Sequence, residues 1–238
     1  MIKPYNEIES KKAQVEIMFD NIAPKYDFLN HFLSLGIDKI WRKKVKKILK
    51  LKKPQIILDI ATGTGDLAIE LSKLKPVRIY GVDLSEQMLE KGRAKLVKRN
   101  LTEIIEFTKG DAENLSFEDN KFDAVTISFG ARNFENLNKG IEEVLRVLKP
   151  GGELVLLEFS EPKKFLIKKV YNFYFSQILP YIGKVFSKDY RAYKYLPESV
   201  KSFPHRENFL SVLSSIGFAD TKYFTLTFGI STIYCGTK

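Results

Sequence analysis

Three stretches of this chain carry residues whose types and spacing could do chemistry. The first is the loop Asp59-Ile60-Ala61-Thr62-Gly63-Thr64-Gly65-Asp66, followed by Asp83, twenty residues past Gly63. Gly63 and Gly65 would let backbone approach a ligand closely. An acid such as Asp83 at the tip of a second strand can accept hydrogen bonds from both hydroxyls of a ribose. The second is Gly110-Asp111-Ala112-Glu113. There the Asp111 carboxylate could accept an adenine amino proton while the Ala112 N–H addresses a ring nitrogen. The same residues would equally make an ordinary Asx-turn. The third, Ser128-Phe129-Gly130-Ala131-Arg132-Asn133, closes a strand where a reacting group would lie.

Two cofactors compete for the glycine loop. Gly63-Thr64-Gly65-Asp66-Leu67-Ala68 satisfies the dinucleotide pattern G-x-G-x-x-A. A dinucleotide, however, sets its pyrophosphate on the helix N-terminus that follows. Asp66 stands there, with Asp59 close by, and two carboxylates repel phosphate. They suit S-adenosylmethionine, which carries a sulfonium and an ammonium and no phosphate. That cofactor is therefore expected, with Asp59, Gly63, Thr64, Gly65, Asp83, Asp111, Ala112 and Ser128 as its candidate contacts. One cysteine and two histidines leave no cysteine-based zinc cluster and argue against a His-rich site, so no metal is expected. The Asn/Asp-Pro-Pro-aromatic loop of nucleic-acid amino-methyltransferases is absent at Ser128.

These residues need a scaffold that brings strand tips together. Apolar runs at 55–61, 77–83, 104–111, 121–128 and 151–160 read as buried strands, separated by helices over Asp66–Leu74, Glu86–Lys98 and Leu137–Leu148. Residues 7–19 and 38–51 read as N-terminal helices. In the second, Ile37, Ile40, Trp41, Val45, Ile48 and Leu49 share one face. After residue 160 come an aromatic helical stretch over 163–202, a helix over Glu207–Ile216, and strands Thr221–Leu226 and Ile230–Gly236 joined around Gly229. The pattern predicts an α/β, Rossmann-like class I methyltransferase core: a mostly parallel seven-stranded sheet finished by an antiparallel C-terminal hairpin. Its parts would be an N-terminal helical cap (1–53), the cofactor core (54–160), a helical substrate-side insert (161–205) and the closing helix and strand pair (206–238), in one domain.

The net charge of +10 is unevenly spread over the 238 residues. Residues 1–53 hold 13 basic and 6 acidic side chains, 54–160 hold 14 and 18, and 161–238 hold 12 and 5. Basic flanks favour an anionic surface, either nucleic acid or lipid headgroups, although a solvated lysine-rich surface explains them as well. The stretch Lys163–Tyr195 interleaves lysines with Phe165, Tyr171, Phe173, Tyr174, Phe175, Tyr181, Phe186, Tyr190, Tyr193 and Tyr195. Such a pattern suits an interfacial helix or a groove for a lipid tail, with core packing taking many of the rings. With no secretory segment in view, a reduced, cytoplasmic protein is expected.

Further stretches resemble a known family, the quinone C-methyltransferases of the UbiE/MenG type. They are Tyr26-Asp27-Phe28-Leu29-Asn30 leading into Ser34-Leu35-Gly36-Ile37-Asp38 and Trp41; Ile127 through Asn133; Arg146-Val147-Leu148-Lys149-Pro150-Gly151-Gly152 with Leu157-Glu158-Phe159-Ser160; and Tyr195-Leu196-Pro197-Glu198-Ser199-Val200 before Phe203-Pro204. The likeness runs from about Phe19 to the end. Ala61 replaces a glycine of the general methyltransferase pattern. Asp38 stands where the family commonly has histidine, so no base is assigned there.

The resemblance implies methyl transfer from S-adenosylmethionine to a ring carbon of a prenylated quinol, in menaquinone synthesis and as an option in ubiquinone synthesis. It implies transient contact with a membrane surface, at the inner face of the cell membrane, since the tailed substrate lives there. No nucleic-acid partner is expected, and a homodimer is one option. A ring carbon becomes nucleophilic only when the neighbouring hydroxyl loses its proton. Arg132 and Asn133 are the candidates for that step. Arg132 cannot be the base, but it can favour the quinolate and hold a water; a structural ion pair with Glu158 is the alternative. Tyr26, Asp27 and Asn30 are candidate substrate-side residues, with helix capping the other reading of Asp27 and Asn30. His31 reads as a surface or packing residue. RNA methylation, small-molecule O-methylation and a non-catalytic cofactor-binding scaffold are the rival functions.

Overall fold

A computed structural model of the chain describes residues 2–5, 9–174, 177 and 190–238. Five apolar runs form parallel strands: β1 (Ile56–Ile60), β2 (Arg78–Asp83), β3 (Ile105–Lys109), β4 (Phe122–Ser128) and β5 (Leu148–Phe159). β6 (Ala219–Leu226) and β7 (Ser231–Thr237) complete a seven-stranded sheet in the order β3-β2-β1-β4-β5-β7-β6. β7 runs antiparallel to both of its neighbours. Strand order reverses between β1 and β4, so a crevice opens at their carboxyl ends.

Both faces of the sheet are buried, which is why the strands read as continuous apolar runs. Ile57, Val155 and Leu157 face one core with Leu49, Leu71 and Leu89. Leu58, Ile60, Leu154 and Leu156 face the other with Val144, Phe209 and Tyr234. The first layer is built by α3 (Ile37–Lys50), α4 (Asp66–Leu71) and α5 (Glu86–Lys98), the second by α6 (Leu137–Val147) and a helix over Glu207–Ile216. A smaller cluster of Tyr5, Met18, Tyr171, Ala192 and Tyr195 roofs the crevice. It joins the N-terminal segment to α1 (Lys11–Ile22), α7 (Phe165–Phe173) and α8 (Tyr190–Ser202); the Glu207–Ile216 helix is α9.

Several boundaries differ from the sequence expectation. The first helix begins at Lys11, because the Ser10 hydroxyl caps it by accepting the Ala13 N–H at 3.2 Å; residues 7 and 8 lie outside the described residues. An unexpected helix, α2, covers Tyr26–Leu33. Asp27 and Asn30 therefore sit within a helix and do not cap one. β5 starts at Leu148, and α6 stops at Val147. The register shift between Phe122 and Ala124 lets β4 pair with Leu148 and then Glu153, so Lys149–Gly152 bulges within β5, where Gly151 and Gly152 bond Lys238. Ile40 is 55% exposed, on the flank of the apolar α3 face and not within it. Within the aromatic insert, Phe175, Tyr181, Lys184, Phe186 and Lys188 lie outside the described residues.

Candidate active site

The crevice holds two adjoining spaces. The first is a cleft between the strand tips and α1. Its floor comes from Ala61 and Gly63 after β1, Asp83 at the end of β2, Asp111 and Ala112 after β3, and Ser128 at the end of β4. Asp83 accepts the Gly63 N–H at 2.7 Å and the Ser85 N–H at 2.9 Å. The Leu84 N–H also favours the carboxylate, and lone-pair capacity still remains for a ribose hydroxyl. Asp111 makes the Asx-turn, accepting the Glu113 N–H at 2.9 Å, and its other oxygen meets Lys12 at 2.6 Å. The Ser128 hydroxyl is buried without a partner. Lys12 faces Glu16, Asp83, Asp111, Glu113 and Glu135 along the cleft, an acidic surround that suits a cationic ligand.

Burial pushes Asp83 up to about 6, against the backbone N–H groups that favour its ionised form. Asp59 is likewise raised to about 6 by burial. A raised carboxylate stabilises the fold at low pH, and that contribution is lost as pH rises from the ordinary carboxylate range through about 6. A ligand that hydrogen-bonds ionised Asp83 works in the opposite sense. Its affinity should fall below pH 6, and its binding should release protons near that pH. Calorimetry with S-adenosylhomocysteine in two buffers of different ionisation enthalpy measures this directly.

Three candidate cofactor residues do not line the cleft; they build the loop beneath it. Asp59 accepts the hydroxyls of Thr62 and Thr126, both at 2.6 Å. Thr64 donates to Asp27 at 2.6 Å and accepts from Lys95 at 2.8 Å. Gly65 has φ +81°, and a Cβ there would lie 2.3 Å from the Phe107 ring. Gly65→Ala should therefore destabilise the protein by about 1–3 kcal/mol and weaken cofactor binding as the loop shifts, as a thermal melt and calorimetry would show.

Asp66, expected among the acids of the ligand site, is not among the cleft liners and is already paired with cations. Burial acts to raise Asp66, yet Arg42 and Lys95 hold it below the usual carboxylate range. Lys95 lies 2.7 Å away and Arg42 3.6 Å. His31 belongs to this charged cluster, with Nδ1 2.8 Å from Asp38 and Nε2 3.5 Å from Asp66. These three could approach a cation together, but the Arg42 guanidinium already pairs with Asp38 there. Asp27, expected on the substrate side, points away from it. One carboxylate oxygen takes Thr64, and the other pairs with Lys95 at 2.7 Å.

The second space is an apolar cavity of about 390 Å³, roofed by α1, α2, α7 and α8. Trp41, Phe129 and Phe159 form an aromatic wall, with the two phenylalanine rings stacked at 4.4 Å. Phe19, Tyr26, Phe129 and Asn133 line both spaces and form their shared wall. Arg132 is the one charged side chain among the described residues that line the cavity, and no carboxylate or histidine joins it there. Its Nη1 donates to Glu158 at 2.8 Å, so the structural ion pair is realised, while its Nε is buried without a partner. Asn133 Oδ1 and Asn30 Nδ2 are also buried and unpartnered.

Sequence reasoning missed two groups, one that braces the site and one that lines it. Lys11 is buried and donates to the carbonyls of Arg132 at 3.0 Å and Phe134 at 2.7 Å, fastening α1 to the 3-10 turn Ala131–Asn133. Desolvation, and then the charge of Arg132, lower it to about 8. The Tyr195 hydroxyl on α8 lies in the cavity without a partner, pushed up to about 12 by burial. Tyr26 is likewise raised by burial to about 12, so both stay protonated donors near neutral pH. The Tyr-Leu-Pro-Glu-Ser stretch is a signal for Tyr195. Nothing local marks Lys11.

Known proteins resemble this chain in sequence and in fold. The ubiE/COQ5 methyltransferase family profile matches residues 7–238. The demethylmenaquinone methyltransferase of Bacteroides fragilis is 50% identical, over 100% of this chain and 97% of the relative. The ubiquinone/menaquinone biosynthesis C-methyltransferase UbiE of Geobacter sulfurreducens is 46% identical, over 97% and 91%. Among solved structures, a putative S-adenosyl-L-methionine-dependent methyltransferase from Methanococcus maripaludis superposes with a TM-score of 0.64 at 22% identity, covering 92% of this chain and 94% of its own. At that identity the likeness concerns the fold.

Proposed function

This chain belongs to the ubiE/COQ5 methyltransferase family, and on that premise we propose that it methylates a ring carbon of demethylmenaquinol to give menaquinol. S-adenosylmethionine is the methyl donor, and the benzoquinol precursor of ubiquinone is a second substrate to be tested. The observation that carries this reading is the shared wall of Phe19, Tyr26, Phe129 and Asn133. An acidic cleft for a cationic nucleoside abuts an apolar cavity whose charged liner, among the described residues, is Arg132.

The residues of the cleft fit the cofactor. Asp83 has free lone pairs for a ribose, the unpartnered Ser128 hydroxyl awaits a ligand atom, and the acidic lining favours positive charge. When bound, S-adenosylmethionine supplies an electrophilic methyl group on a sulfonium. The substrate must present a nucleophilic carbon to meet it, so the chain must hold the quinol partly as quinolate. The Arg132 Nε–H, buried and unpartnered, is a donor for that oxygen. Asn133 Oδ1 can accept from the neutral hydroxyl and orient the ring. Tyr195 and Asn30 offer further donors to a second ring oxygen.

At the Tyr195 side of the cavity Glu158 does not cancel the field of Arg132. At the Tyr195 phenol, after burial, the lowering effect of Arg132 outweighs the raising effect of Glu158. A quinol hydroxyl is chemically like that phenol, so the same charge favours its ionisation. With no carboxylate or histidine among the described cavity liners, the hydroxyl proton leaves to water held by Arg132. Once the ring carbon carries the methyl group, its own hydrogen leaves as a proton and the ring oxygen is reprotonated, restoring the quinol. The apolar walls exclude other water and accept the isoprenoid tail.

A tailed quinol also gives the basic flanks a reason, in peripheral contact with a membrane from the cytoplasm. Among the described residues, no helix is long and apolar enough to cross a membrane. Incubation with labelled cofactor and either oxidised or dithionite-reduced demethylmenaquinone tests the proposal. Methylated product is expected from the reduced form alone. Cofactor binding without turnover on either form would leave a binding scaffold instead.

A further inference from the structure

Helix α7 is apolar on two faces. Ile167, Tyr171 and Tyr174, at positions i, i+4 and i+7, line the cavity. Leu166, Val170 and Phe173, with the same spacing, are 74%, 69% and 60% exposed. An amphipathic surface helix keeps one apolar stripe turned to its own core; here the second is bare. Val170 of the bare stripe also lines the cavity, so the cavity opens onto that stripe.

Two turns add to the same rim. Leu35, between α2 and α3, lines the cavity and is 84% exposed. Phe228, 74% exposed, projects from the β6–β7 turn between Thr227 and Ile230, which both line the cavity. Leu35, Thr227 and Phe228 hold left-handed backbone at φ 51°, 45° and 58°, a conformation that residues with side chains avoid. Between Ser160 and Tyr174 the chain also carries Lys163, Lys164, Lys168 and Lys169 against one acid, Glu161. Lys168 and Lys163 reach acids only loosely, Glu161 at 3.4 Å and Glu207 at 3.7 Å.

We propose that this rim, formed by α7, Leu35 and Phe228, docks on an anionic lipid bilayer, so that a hydrophobic substrate passes from bilayer to cavity without crossing water. The proposal rests on the quinol reading above and names the surface that serves it. Exposed apolar side chains interleaved with lysines match the interfacial region of an anionic bilayer, chains below and phosphates above. A second copy of the chain fits less well, since a two-fold contact through α7 would set its lysines against one another.

The test is flotation of the full chain with vesicles of phosphatidylcholine alone or with one-third phosphatidylglycerol. Two double variants sit outside the cavity lining, Leu166→Ser with Phe173→Ser, and Lys164→Glu with Lys169→Glu. Wild type should float with the anionic vesicles, and each double variant should partition about tenfold less. All three proteins should turn over a tail-less, water-soluble quinol equally. The variants should lose turnover on long-tailed quinol held in vesicles. Wild type that ignores anionic vesicles, or variants that float like wild type, would overturn the docking surface. So would a vesicle-free dimer that the same substitutions abolish. Vesicle binding without turnover of the soluble quinol would instead sink the functional reading and leave the surface standing.

Discussion

Arg132→Ala is expected to lower kcat by about 100- to 1,000-fold while leaving cofactor affinity unchanged. Arg132 supplies the charge that favours a quinolate, and it lines the cavity outside the cofactor cleft. Its removal also strands Glu158, which is fully buried and pairs with it at 2.8 Å. That loss should cost about 3–5 kcal/mol of stability. The two effects can be separated. Adding Glu158→Gln removes the stranded charge, so the double variant should recover most of the melting temperature and none of the turnover. A double variant with wild-type kcat would reduce Arg132 to a structural ion pair.

Asp83→Ala should weaken S-adenosylhomocysteine binding by about 3 kcal/mol, or about 150-fold, because the ribose hydroxyls then have no charged group to donate to. Asp83 also holds the N–H groups of Gly63 and Ser85, so part of that weakening could come from the loop. Asp83→Asn keeps one acceptor for the backbone and loses the charge. An intermediate, roughly tenfold loss is expected there. Unchanged calorimetric affinity in both variants would contradict the ribose contact.

How much of this is legible in the sequence follows from contact range. The glycine loop, Asp83, Asp111 and the Arg132-Asn133 pair are visible because each depends on spacing within one strand and its turn. The hairpin is visible because Gly229 interrupts two apolar runs. Asp27 escapes correct placement because its partners, Thr64 and Lys95, lie in other elements, Thr64 being 37 residues away. Asp59 and Thr64 brace the loop through their own hydrogen bonds, and a polar loop residue looks the same in sequence whether it lines a cleft or holds the loop beneath it. Lys11 bonds to a carbonyl 121 residues on, beyond any local pattern. The helix α2 escapes notice because it is only eight residues long and carries Asp27 and Asn30, residue types that favour caps and turns. The two apolar faces of α7 cannot be sorted from sequence, since an apolar run alone does not say which side meets the core.

The central claim is that the shared wall delivers a methyl group to ring carbon. It is tested most directly by turning over reduced demethylmenaquinone with methyl-labelled S-adenosylmethionine and locating the label in the product by carbon NMR. The expected product carries an aryl methyl group on the ring, with both ring oxygens unmodified. A methoxy signal, or label retained on the cofactor after prolonged incubation with binding-competent protein, would contradict it.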